Sequence, residues 1–281
     1  MITSNQEILA SDVALHYNEL DLLYRKVWGE DLHHCLWKKG VTTKKEATQE
    51  LTREVARTMS LKPNQRVCDI GCGYGAPAQL LADEFAAQVT GITLSQSQIQ
   101  NIPAPRINHE KLHFRCLDWL KNDFGPSSFD HLMSIESSEH MPDKNRFFEE
   151  AYRVVKPGGS LVICAWLASN SPSPREVRYL LEPICREGRL PSMGSELDYR
   201  EMFCAAGFKS VSFQDITDEM KKTWSLALWH LFGYFTQHPT DLKLLSKRFN
   251  TNSDFLKSLF RIRYAYETRA MRYGIFKGIK E

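Results

Sequence analysis

At 281 residues, with a formal net charge of +2, 42% hydrophobic and 25% charged residues, the chain has the make-up of a globular protein with room for one large α/β domain or two small ones. A net charge this small gives no sign of nucleic-acid binding, and the densest basic patch, Arg261 to Arg272, reads as a solvated helix face; no apolar run reaches the roughly 18 residues of a membrane span, so stable membrane insertion is not expected. Seven cysteines, at 35, 68, 72, 116, 164, 185 and 204, form no C-x-x-C pair; free thiols in a reducing, cytoplasmic compartment are the expectation.

The first sixty residues read as helical and aromatic, from His16-Tyr17-Asn18 through Leu22-Leu23-Tyr24 and Val27-Trp28 to His33-His34-Cys35-Leu36-Trp37. On that reading His33 and His34 are helical neighbours facing different ways, and one at most sees a pocket. Thr43-Lys44-Lys45-Glu46 is a capping box, and Leu51, Val55 and Met59 repeat at helical spacing up to Pro63. Residues 1–64 are expected to form a helical cover.

Arg66 to Gly75 joins a short apolar run to a turn with glycines at alternate positions, and an amphipathic run follows from Ala78 to Phe85. A strand, a tight loop and a helix in this order present backbone amides to a nucleotide-like ligand. Gly71, Gly73 and Ala76 also satisfy the relaxed dinucleotide fingerprint. Asp69, directly before the first glycine, nevertheless repels a pyrophosphate and attracts an ammonium. The next strand, Gln88 to Ile92, ends in Thr93-Leu94-Ser95, with no carboxylate to hold an NAD ribose. A cationic, phosphate-free nucleoside such as S-adenosylmethionine (SAM) fits better.

Strand candidates at 66–70, 88–92, 112–116, 129–135 and 159–166 alternate with helices near 77–86, 95–101, 143–155 and 195–206, a pattern that implies right-handed crossovers and a parallel sheet. Lys156-Pro157-Gly158-Gly159 reads as a turn that stops a helix. Ser169 to Pro174 is a connector into a helix-rich stretch, Arg175 to Leu190, and Val211 to Ile216 returns as a sixth strand. A second helical excursion carries Trp224, Trp229, Phe232, Tyr234, Phe235, Phe255 and Phe260. Met271 to Ile279 is the final strand. The division expected is a cover at 1–64, a core at 65–170, lid insertions at 171–206 and 218–267, and returns to the sheet at 207–217 and 268–281.

Asp69-Ile70-Gly71-Cys72-Gly73-Tyr74-Gly75 resembles the first motif of class I SAM-dependent methyltransferases. Gly91 to Ser95 followed by Gln98 is similar to the branch that includes cyclopropane fatty acid synthases and tocopherol methyltransferases, where a glutamine takes the place of the ribose-binding acid. Ile135-Glu136-Ser137-Ser138-Glu139-His140-Met141-Pro142-Asp143-Lys144 and Trp28-Gly29-Glu30-Asp31-Leu32-His33-His34 resemble tocopherol methyltransferases and related small-molecule methyltransferases, although Cys35 stands where that family carries glycine.

The resemblance implies a Rossmann-like α/β fold: a mostly parallel seven-stranded sheet with helices on both faces and helical lids. It implies transfer of a methyl group from SAM to the carbon, oxygen or nitrogen of a small, mainly apolar acceptor, as in natural-product biosynthesis. Cofactor contacts carry over to Asp69, Gly71, Gly73, Gly75, Thr93, Leu94 and Gln98. Asp118 is to accept from the adenine amino group, with Trp119 covering the ring and Tyr17 reaching the cofactor carboxylate. His140 is the candidate base, with Glu136 and Glu139 as alternatives, and His33, Trp28 and Trp166 are the acceptor-binding candidates. No metal is called for, and the oligomeric state, homodimer included, stays open. Two rival readings remain: lipid methylation of the cyclopropane-synthase kind, and a methyltransferase-fold cyclase or binding protein that keeps SAM without transferring its methyl.

Overall fold

A computed structural model describes residues 1–27, 29–237 and 252–281; Trp28 and the side chains of Phe232, Tyr234, Phe235 and Phe255 lie outside the described set. A short strand β1 (Ile2–Thr3) precedes α1 (Ala10–Val27) and α2 (Lys44–Met59), after which strands and helices alternate: β2 (Arg66–Ile70), α3 (Ala76–Phe85), β3 (Gln88–Thr93), α4 (Gln96–Gln100), α5 (Ala104–Ile107), β4 (Leu112–Cys116), β5 (Phe129–Ile135), α6 (Lys144–Val154) and β6 (Val155–Ala168). Then come α7 (Pro174–Glu176), a wide helical turn at Val177–Leu181, α8 (Glu182–Glu187), β7 (Ser192–Met193), α9 (Glu196–Ala205), β8 (Lys209–Asp215), α10 (Thr217–Met220), α11 (Lys222–Gln237), α12 (Asn252–Glu267) and β9 (Met271–Ile279).

The main sheet has seven strands in the order β4-β3-β2-β5-β6-β9-β8, and β1 pairs separately with β7. β2 to β6 are parallel, and β9 runs antiparallel between β6 and β8. Adjacent residues serve opposite faces: Val67, Met133 and Val162 pack with α2 and α3, while Cys68, Leu132 and Leu161 pack with α6 and α9. Strands buried on both faces explain the near-continuous apolar runs in the sequence. The order reverses direction between β2 and β5, so the carboxyl ends of these two strands open the crevice where such sheets hold ligands.

The expected strands are present, with three differences. Lys156 to Gly159 lies within β6 rather than ending before it: Phe129 pairs with Val155 and His131 with Ser160, so these residues loop out as a bulge. Glycine is needed there, because a Cβ on Gly159 would sit 2.3 Å from the Asp130 carbonyl oxygen. The second difference is in the cover, where residues 29–42 are non-helical. His33 and His34 are therefore not helical neighbours, and both line the same cavity; an aromatic, polar stretch satisfied by contacts from distant strands has no need of helical periodicity. Third, α9 packs on α6 and β8, in the layer covering the sheet.

Candidate active site

The glycine turn after β2 is fixed from below and behind. Amides of Gly71 and Cys72 both donate to the Ile92 carbonyl at 2.9 Å, and Arg106 on α5 reaches the Tyr74 carbonyl at 3.0 Å while binding Glu30 and Gln79. Gly71 has φ +84°, and a Cβ there would fall 2.3 Å from Ser137 Cβ. Gly73, at φ +55°, has no atom within 4 Å of where its Cβ would stand; the turn is open at this residue. Gly75 caps α3 against the Phe114 ring and is not part of the cavity wall.

That wall surrounds a cavity at the carboxyl end of the sheet, of about 210 Å³. It gathers Asp69, Gly71, Gly73, Thr93, Leu94 and Gln98 from the sheet end, Trp119 from the turn after β4, and Tyr17 from α1. It also holds Glu136, Glu139, His140, Trp166 and His33. Asp118 is absent from it: this carboxylate accepts from the Leu120 amide at 3.0 Å and caps the turn. Trp119 shows 1% of its surface, donates from its indole to the Phe147 carbonyl at 3.2 Å and packs against that ring, so most of it belongs to the core.

Gln98 is held in place by two bonds. The Thr93 hydroxyl donates to Gln98 Oε1 at 2.6 Å, and the Ser95 hydroxyl accepts from the Gln98 amide while bonding Asn18 of α1. Asp69 is the opposite case. It is 2% exposed, its Oδ2 has no hydrogen-bond partner, and burial pushes its carboxyl up to about 7. A buried carboxylate oxygen left bare costs free energy until a donor or cation meets it.

Beyond β5, Glu136 has φ +54° and points into a ring of donors. The His34 amide and Tyr273 hydroxyl donate to Oε1 at 2.6 and 2.7 Å, and His34 Nδ1 and the Trp166 indole to Oε2 at 2.9 and 2.8 Å. Burial by itself would push this carboxyl up, but His34 foremost among its donors holds it down to about 2. So saturated a carboxylate is a structural acceptor and a poor proton acceptor. Glu139 accepts from the Trp166 amide at 2.7 Å and the Ser138 hydroxyl at 3.2 Å, and burial pushes it up to about 7. His140 donates from Nδ1 to the Arg189 carbonyl at 3.0 Å and receives the Tyr17 hydroxyl on Nε2 at 3.0 Å; burial lowers it to about 4.

Sequence reasoning placed Trp224 in a helical lid but gave the residues of the outer wall no role in the site. Trp224 of α11 and Leu259 and Ile262 of α12 line the cavity, and their helical spacing could not be told from ordinary core spacing. Arg106 was equally hidden: Pro103-Ala104-Pro105 gives no helix signal, and a buried arginine is recognised only from its partners.

The doubly covered sheet, its reversal at the β2/β5 crevice and the glycine turn behind a bare acidic residue define a class I SAM-dependent methyltransferase. Residues 4–253 match the family described as mycolic acid cyclopropane synthetase, and the chain belongs to that family. It is 30% identical over 241 residues to a chloroplastic tocopherol O-methyltransferase of Arabidopsis thaliana, covering 79% of this chain and 69% of that one. It is also 30% identical over 221 residues to 27-O-demethylrifamycin SV methyltransferase of Amycolatopsis mediterranei, covering 77% and 80%. Among solved structures, the cyclopropane synthase MmaA2 of Mycobacterium tuberculosis superposes with a TM-score of 0.84 at 18% identity over 99% of this chain and 100% of that one.

The residues present fit SAM. Asp69 offers an unmatched anionic oxygen to a cationic ligand, Gly73 leaves the turn open, and a buried glutamine stands where the ribose-binding acid is missing. Among the described residues no helix is long and apolar enough to cross a membrane.

Proposed function

We propose that the chain methylates a small, largely apolar acceptor bearing a hydroxyl, amine or activated carbon, of the phenolic, terpenoid or polyketide-like kind. The observation that carries this reading is one cavity that joins Asp69 and its bare oxygen to a wall made by Trp166, Trp224, Leu259 and Ile262. Bound at the sheet end, SAM supplies a methyl group already activated by its sulfonium. The chain's own share is to orient, to exclude water and to manage a proton.

Asp69 orients the cofactor through charge, and Gln98, pinned by Thr93, holds the ribose. Trp166 is tied at both ends, its amide to Glu139 and its indole to Glu136, so its ring is a fixed wall for the acceptor. His140 is an imidazole whose lone pair is spent on the Tyr17 hydroxyl; an acceptor reaches it as a base by taking that hydroxyl's place. In support of a second reading, the alkene methylation of cyclopropane synthases, stands Glu139, a buried carboxyl able to take a proton near neutral pH. The seven free cysteines support a reducing, cytoplasmic setting.

The test is a product assay of the purified chain with SAM against prenylated phenols, terpenoids, polyketides, amines and phospholipid vesicles. Release of S-adenosylhomocysteine with a hydroxyl or amine acceptor supports the first reading; release that requires vesicles favours the second. Tight SAM binding without S-adenosylhomocysteine on any of them points to a cyclase or binding role.

A further inference from the structure

Four histidines line the cavity: His16, His33, His34 and His140. Both ring nitrogens of His34 are engaged, Nδ1 by Glu136 and Nε2 by the Trp224 indole, and both of His140 are engaged by Arg189 and Tyr17. His16 is held down to about 3 by burial and by neighbouring His140 and Arg189, which leaves it a weak proton acceptor. His33 differs. Its Nδ1–H donates to the His34 carbonyl at 2.8 Å, so the lone pair is on Nε2, and that buried atom has no hydrogen-bond partner.

The surroundings of this nitrogen suit the charge it would gain. Asp31 Oδ1 lies 3.8 Å from Nε2, beyond a hydrogen bond and within reach of one ring rotation. Asp31 is itself steadied by the Thr48 hydroxyl at 3.1 Å on its other oxygen, and its side chain is 22% exposed, open to water where His33 is not. Glu136 also feels His33. Asp31 and Glu136 are thus the carboxylates on this side of the ring, and Lys44 faces Asp31 as well.

We propose that His33 is the catalytic residue that takes the proton of an O–H or N–H acceptor, with Asp31 as the positioning carboxylate that receives it; the proposal rests on the methyl-transfer reading above. The acceptor's O–H or N–H bond breaks, its electron pair forms the bond to the methyl carbon, the carbon–sulfur pair stays on sulfur as a neutral thioether, and the proton bonds Nε2. The imidazolium then turns to Asp31, which passes the proton to solvent. His140 on this account anchors α1 through Tyr17. Because a base placed here takes a proton from a heteroatom, the acceptor class narrows from hydroxyl, amine or activated carbon to molecules with an O–H or N–H.

The first arm of the test needs no turnover. In chain labelled with 15N-histidine and bound to S-adenosylhomocysteine, the His33 Nε2 resonance is that of an unprotonated, non-hydrogen-bonded nitrogen near pH 8. A protonated or hydrogen-bonded Nε2 overturns the assignment. In single-turnover assays on the hydroxyl or amine acceptor found above, His33→Gln slows transfer by about 10²-fold and flattens the acid limb of the pH profile, with calorimetric SAM affinity kept; His140→Gln retains that limb and weakens SAM binding. A His33→Gln rate equal to wild type, or loss of the limb in His140→Gln alone, overturns it as well. Asp31→Asn, which leaves the ring in place, carries the kinetic arm if His33→Gln does not fold. No S-adenosylhomocysteine from wild type on any acceptor counts against the methyl-transfer reading, and the nitrogen resonance still decides His33.

Discussion

Trp224 Nε1 stands 2.5 Å from His34 Nε2, and the other nitrogen of that ring stands 2.9 Å from Glu136. One imidazole thus ties α11 to the end of β5. Since the indole can only donate, His34 carries its ring proton on Nδ1 and gives it to the carboxylate. Trp166, Trp224, Tyr266 and Tyr273 surround the ring at 5.0 to 5.7 Å.

Glu136→Ala strands four buried donors at once. We expect it to lower stability by roughly 3–5 kcal/mol, the range for opening a buried charged network, measured by urea unfolding. Glu136→Gln keeps the shape and is expected to fall between. A Glu136→Ala chain as stable as wild type and merely inactive would instead show this carboxylate to be chemical.

Asp69 links cofactor binding to protons. Its carboxyl is raised by burial to about 7 when folded, from the ordinary 3.8, so between these values the folded chain holds a proton the unfolded one has lost. This group's contribution to stability therefore falls as pH rises through that window and levels off above 7. A cationic ligand needs the carboxylate, so SAM binding at pH 6 should release a proton and tighten toward pH 8. Calorimetry in buffers of different ionisation enthalpy reads the release, and Asp69→Asn should abolish it and weaken SAM binding severely.

The two glycines of the turn separate stability from binding. Gly71→Ala places a methyl on Ser137 at positive φ, and it should lower the melting temperature markedly, by the equivalent of several kcal/mol. Gly73→Val meets open space, so it should cost only about 1–3 kcal/mol in backbone strain and yet eliminate detectable SAM binding. Equal losses of stability in both would contradict the assignment of Gly73 to the ligand side.

Tyr17→Phe removes the hydroxyl on His140 while Asp21–Tyr74 and Asn18–Ser95 still hold α1. SAM affinity should drop by about tenfold, the scale of one hydrogen bond, with hydrogen exchange in α1 speeded by a similar factor. Unchanged exchange would mean that the Tyr17 contact does not fasten the helix.

Much of the fold was legible because its signals are local. Strands buried on both faces give apolar runs whatever their neighbours, and β2, β5 and β9 begin and end where the runs do. That Asp69 and Gly73 line the cavity could be expected for the same reason, since sign of charge and freedom of backbone belong to one residue each. The loop of His33 and His34 was not: its order comes from Glu136 and Trp224, 102 and 190 residues away, and no periodicity encodes partners at that range. Asp118 shows another limit: the sequence pattern points it at an adenine, and what the structure adds, a bond from the Leu120 amide and a place outside the cavity wall, depends on the turn after β4.

The position of β9 in the sheet has a consequence in time. Its nine residues fill the slot between β6 and β8, and Tyr273 within it supplies a donor to Glu136. During synthesis, β6 and β8 must therefore wait as open edges until the ribosome has released nearly everything before residue 279. The sheet therefore closes late, and until β9 arrives its unpaired edges are open to edge-to-edge association.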